Sequence, residues 1–69
     1  MEKIVLRDEY IKLGQALKAA GLVDSGVEAK IVIADGEVLV NGLVETQRGK
    51  KLHDGDQVEF HGEKILICK

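Results

Sequence analysis

The dipeptide Asn41-Gly42, set between Val38-Leu39-Val40 and Leu43-Val44, constrains the fold of this chain more than any other local feature. Both residues tolerate the positive φ that a two-residue type I′ turn demands at each central position, so the segment reads as a tight β-hairpin. A second turn follows at Leu52-His53-Asp54-Gly55-Asp56, and the alternating stretch Gln57-Val58-Glu59-Phe60 reads as the next strand. Between hairpin and turn lies the cluster Arg48-Gly49-Lys50-Lys51. Three of the 10 basic residues fall within it, so a net charge of −2 conceals a local surface for anions. Taken alone, so short a run is most often a solvated loop.

At 69 residues the chain reads as one domain, 1–69, near the lower size limit for a self-sufficient core. Its only aromatic side chains are Tyr10 and Phe60, so that core must be aliphatic. No apolar run approaches the ~20 residues that span a bilayer, and Met1-Glu2-Lys3-Ile4-Val5-Leu6 lacks a secretory apolar region. These features predict a cytoplasmic protein without a membrane partner. The lone Cys68 cannot pair within the chain and reads as a packed thiol. Proline is absent, the eight glycines are scattered, and no linker or internal repeat divides the sequence.

A first strand is expected over Lys3–Leu6, followed by a helix from Lys12 to Ala20 that Gly21 terminates. At 100° per residue, Leu13, Ala16, Leu17 and Ala20 share one face of that helix, while Lys12, Gln15 and Lys18 share the other. The next stretch is contradictory. Ser25-Gly26-Val27-Glu28 has the spacing of a capping box and predicts a helix from Gly26 to Ala34. Ile31 to Val40 equally fits a hairpin turning at Asp35-Gly36, with β-branched residues before the turn. Pattern alone leaves both open.

Catalytic chemistry has little to work with. His53 and His61 have no cysteine or second histidine at ligand spacing, Cys68 has no evident base, and no Gly-rich phosphate loop follows a strand. The histidines are expected in turns, with Asp54 and Asp56 bracketing Gly55 as turn formers. No enzyme activity, metal or cofactor is therefore expected.

The order of helix, Ser-led helix ending near Gly36, Val38-Leu39-Val40-Asn41-Gly42, and Gly55-Asp56 before a last strand pair resembles the RNA-binding domain named after ribosomal small-subunit protein S-four. The resemblance runs from Ile11 to Phe60. Leu13-Gly14-Gln15, Leu17-Lys18, Ser25-Gly26, Ala29-Lys30 and Arg48-Gly49-Lys50-Lys51-Leu52 look like the small stand-alone bacterial members of that family. It implies an α+β fold in which two helices pack on a small curved, antiparallel-rich β-sheet, and it decides for the helix over 26–34. It also implies that Lys12, Gln15, Lys18, Ser25, Lys30, Asn41, Arg48, Lys50 and Lys51 share an RNA-binding face. Cations there would meet phosphates, and Gln15, Ser25 and Asn41 would reach sugars or base edges. For Ser25 and Asn41 a structural role as cap and turn former leads.

This chain departs from many larger members of the family, which start the first helix Arg-Leu-Asp and carry a cation after the helix-two serine. Here those positions read Lys12-Leu13-Gly14 and Gly26. The function implied is non-catalytic binding of structured RNA, ribosomal RNA or a precursor, by a monomer that accompanies a ribosomal subunit. The alternative is a protein-interaction module of the β-grasp type, which shares a Val-Asn-Gly hairpin and a Gly-Asp turn. The Gly-Gly tail that β-grasp carriers need is missing, since the sequence ends Ile67-Cys68-Lys69.

Overall fold

A computed structural model describes residues 2–69. In chain order the elements are β1 (Glu2–Val5), β2 (Ile11–Lys12), α1 (Leu13–Ala19), α2 (Gly26–Ala34), β3 (Val38–Val40), β4 (Leu43–Val44), β5 (Lys51–Leu52), β6 (Gln57–Phe60) and β7 (Glu63–Cys68). Five strands form one sheet in the order β1-β7-β6-β3-β4, and β2 pairs with β5 in a separate short ladder. Among the described residues only the β1 to β7 pairing is parallel.

The expected hairpin is present. Asn41 and Gly42 take φ values of 52° and 84°, and Val40 faces Leu43 across the turn. The same device recurs at His61-Gly62, with φ of 49° and 83°, where it joins β6 to β7. Val40, Val58 and Ile65 are register partners across three strands and all face the core.

The conflict over 26–34 resolves as a helix. The Ser25 hydroxyl accepts the Glu28 N–H at 3.2 Å, and Glu28 Oε1 accepts the N–H of Asp24 at 2.7 Å, one residue upstream of the usual capping-box partner. Four β-branched residues in α2 cost roughly 2 kcal/mol of helix propensity in total. Fully burying Ile33 recovers about 1.5–3 kcal/mol and the serine cap about 1 kcal/mol more, so the helix wins.

The bounds of two elements, α1 and β1, differ from expectation. α1 begins at Leu13 because Lys12 is held extended, at φ −76° and ψ 147°, by pairing with Lys51. The helix ends at Ala19, one residue short of the expected Ala20, which becomes the C-cap ahead of Gly21 at φ 74°. β1 spans Glu2–Val5, and Leu6 still donates its N–H to the Cys68 carbonyl at 2.6 Å.

The core is aliphatic throughout. Leu13 and Leu17 of α1 and Ile33 of α2 meet Val38, Leu52, Val58, Ile65 and Ile67, all fully buried. Both helices thus share one core with the sheet; α1 turns Gln15 and Lys18 outward, whereas α2 leaves Val27 and Ile31 exposed beside Glu28 and Lys30. Among the described residues no helix is long and apolar enough to cross a membrane.

Candidate nucleic-acid interface

The first N–H groups of any α-helix lack partners within the helix. In α1 the basic loop supplies them: Leu13 donates to the Lys50 carbonyl at 2.8 Å and Gly14 to the Arg48 carbonyl at 3.1 Å. The cluster is therefore fixed to the helix start. Gly14 makes the approach possible, because a Cβ there would stand 2.7 Å from Cγ of Arg48.

This junction forms a groove of about 340 Å³ lined by Lys12, Gln15, Lys18 and Arg48, with Gly14, Gly26 and Gly49 between them. Three cations converge there, and no carboxylate is among the described lining residues. The ion pairs among described residues lie elsewhere, between His61 and Glu37 at 2.5 Å and between Lys69 and Glu9 at 3.4 Å. None of the groove cations is in an ion pair among the described residues, so no carboxylate offsets their charge at salt-bridge range. Gly26, the first residue of α2, brings the positive end of that helix to the same groove.

The remaining expected residues divide between the groove's edge and a separate cluster. Ser25 adjoins the groove through Gly26, with its hydroxyl engaged as the cap of α2. Lys51 is the register partner of Lys12, and its Nζ lies 4.9 Å from the centre of the Tyr10 ring. Lys30 is exposed one turn beyond Gly26, outside the groove lining. Asn41 is occupied internally: its Nδ2 donates to Asp56 Oδ1 and its Oδ1 accepts the Gln57 N–H, each at 3.0 Å. Asp56 also accepts the His53 N–H at 2.7 Å. Partial burial pushes the Asp56 carboxyl up, but the His53 N–H, the Asn41 amide and the charges of His53 and Lys50 outweigh it and hold the group below its ordinary value. Lys50 thus lies on the Asp56 side of the loop, off the groove.

Sequence reasoning missed the part played by Gly14, Gly26 and Gly49. A signal existed at Gly14, since a glycine in a first helical turn costs roughly 0.5–1 kcal/mol against alanine and needs a reason to be there. That reason is the close approach of Arg48.

Two helices sharing a core with a mixed sheet, and a cationic groove where the first helix meets a loop, define an α+β domain of the alpha-L type. The chain belongs to the S4 domain family, which it matches over residues 4–68. It is 46% identical over 59 residues to the ribosome maturation protein RlbA of Bacillus subtilis, covering 86% of this chain and 83% of that one. It is 40% identical over 58 residues to the RNA-binding protein YbcJ of Escherichia coli, covering 84% and 83%. The solution structure of YbcJ from E. coli, described as revealing an alpha-L motif involved in RNA binding, superposes with a TM-score of 0.77 at 36% identity, covering all of this chain and 89% of the other. Nothing in these likenesses favours a β-grasp module.

Proposed function

We propose that this chain binds structured RNA, ribosomal RNA or a precursor of it, as a non-catalytic accessory factor in ribosome assembly or translation, acting as a monomer in the cytoplasm. The observation that carries this reading is the convergence of Lys12, Lys18 and Arg48 on a groove without a carboxylate in its lining, in a chain of net charge −2. A dispersed solvated surface would intersperse both signs. The names of the relatives, a ribosome maturation protein and an RNA-binding protein, agree with it.

The groove cations and the neighbouring Lys51 neutralise phosphates and release their counterions, which is the main source of affinity for a polyanion. Gln15 sits among them with its side-chain carbonyl near the Lys12 N–H at 3.4 Å, leaving its amide protons for a sugar or base edge. Ser25 at the groove's edge and Lys30 one turn along α2 extend the track for the backbone. Folded RNA fits this site better than a single strand, because single-strand binders need a row of aromatic platforms and this chain has two aromatic residues.

The test is a triple Arg48→Ala, Lys50→Ala, Lys51→Ala variant, titrated with one structured ribosomal RNA fragment at several salt concentrations. Affinity should fall, and the log-log salt slope should flatten by at most about 0.7–0.9 per lost phosphate contact. Unchanged affinity and slope in a folded variant would overturn the RNA-binding assignment.

A further inference from the structure

A second and larger groove, of about 650 Å³, borders α1 at Gln15, Lys18 and Ala19 and shares the first two of these with the cationic one. Its chemistry is different. Ile4, Leu6 and Ile11 give it an aliphatic lining, Arg7 and Asp8 stand in its wall, and Tyr10 borders it. Tyr10 is 37% exposed, so part of its ring is open to solvent. The ring is nevertheless positioned: Lys51 lies over it at 4.9 Å, and the His53 ring sits 6.1 Å away at 49°. It directly precedes β2, whose Lys12 lines the cationic groove and pairs with Lys51. Tyr10 and two of the cations, Lys12 and Lys51, therefore meet at one short ladder.

We propose that this second groove receives one unstacked nucleobase of the RNA whose phosphates lie in the cationic groove, with Tyr10 as its stacking platform. This rests on the RNA-binding reading above. A nucleobase is flat with apolar faces and a polar rim, and the groove pairs an aromatic ring and aliphatic walls with both kinds of polar partner. Gln15 and Arg7 offer donors, and Asp8 offers an acceptor for an exocyclic amine. The shared residues carry the occupant's identity, because an RNA backbone held by Lys12, Lys18 and Arg48 presents its next nucleotide at Gln15 and Lys18, the boundary of this groove. One platform takes one base. A bulge or a flipped nucleotide in a folded RNA supplies a single base, whereas a fully paired helix supplies none.

The experiment uses the full chain and two synthetic RNA hairpins, one fully paired and one identical except for a single bulged adenosine. A stacked base contributes enough for the bulged hairpin to bind about 5- to 150-fold more tightly. Tyr10→Ala should bring that ratio close to one, and Tyr10→Phe, which keeps the ring, should preserve it. With 2-aminopurine at the bulge, the wild-type protein should quench fluorescence and the alanine variant should not. Equal, salt-dependent binding of the two hairpins would overturn the base pocket and leave the phosphate groove standing. Failure to bind either hairpin at low salt would overturn both. A Tyr10→Ala variant that weakens both hairpins in proportion would also overturn the pocket, by reducing Tyr10 to a packing residue.

Discussion

Gly14 and Arg48 approach so closely that a Cβ on the glycine would stand 2.7 Å from Cγ and 3.3 Å from Cδ of the arginine. The contact is reinforced in the backbone, where the Gly14 N–H donates to the Arg48 carbonyl at 3.1 Å. An exposed loop would leave Arg48 free to sample many rotamers; the bare glycine lets it lie against the helix. If Arg48 contacts RNA as proposed, part of the cost of ordering this side chain is already met in the folded protein.

Gly14→Ala should therefore separate helix propensity from site geometry. Alanine favours the helix by roughly 0.5–1 kcal/mol, while crowding at such a contact costs about 1–3 kcal/mol unless Arg48 moves away. Arg48 has solvent to move into, so thermal stability should change by less than about 1 kcal/mol while RNA affinity falls. Adding Gly14→Ala to Arg48→Ala should produce little further loss of affinity. Additive losses in that double-mutant cycle would mean that Gly14 acts on RNA other than through Arg48.

Asn41 should behave as a structural residue. Its amide ties the hairpin to Asp56 and Gln57, and its φ of 52° is one that alanine resists. Asn41→Gly loses the two hydrogen bonds, about 1 kcal/mol each, but keeps the turn. Asn41→Ala adds roughly 1–2 kcal/mol of left-handed strain. Denaturant melts should rank wild type above glycine above alanine, with RNA affinity of the folded variants nearly constant.

The two hairpin turns differ in how far they could be read. Asn41-Gly42 was legible because both residues are turn formers and the flanks are apolar. His61-Gly62 reads in sequence as a turn rather than as a hairpin, since histidine carries little hairpin signal and the flanking strands are short of β-branched residues on one side. The helix over 26–34 needed the family resemblance, because the decisive terms are the burial of Ile33 and the Ser25 cap and only the cap is local. The ladder of β2 and β5 was invisible. Each strand is two residues long, and the pairing of Lys12 with Lys51 joins distant parts of the chain. The same non-local pairing moved Lys12 off α1, and nothing near Lys12 in sequence announces it. Within the candidate site, the cations and Gln15 were legible as residue types, whereas the shape of the groove depends on Gly14 and Arg48 meeting in space.

Asp56 gives the fold a defined acid sensitivity. Its carboxyl is held below the ordinary value of 3.8, so its ionised form is favoured by the folded state. The associated stability is fully present above pH 3.8 and is lost as pH falls below it through the folded-state value. Asp56→Asn should lower stability at neutral pH by about 0.5–1 kcal/mol, a figure reduced for solvent exposure. The gap between variant and wild type should narrow as melts are repeated at progressively lower pH. A gap that is constant from pH 7 down to pH 2 would remove the charge of Asp56 as its cause.

The cations should not be equivalent, and their ranking tests where the RNA backbone runs. Lys12, Lys18 and Arg48 line one groove, whereas Lys30 stands one helical turn beyond Gly26. A phosphate held in the groove feels the first three at short range, and across a Debye length of about 8 Å at physiological salt an outlying charge is strongly screened. Lys18→Ala or Arg48→Ala should each flatten the log-log salt slope by close to one contact, about 0.7–0.9, and Lys30→Ala by less than half of that. All are exposed enough that unfolding should shift by no more than ~0.5 kcal/mol, which keeps loss of binding separate from loss of fold. Filter binding across a salt series with one structured ribosomal RNA fragment measures the slopes directly. If Lys30→Ala flattens the slope as much as Lys18→Ala, the backbone runs along α2 rather than through the groove, and the part assigned to Arg48 over Gly14 falls with it.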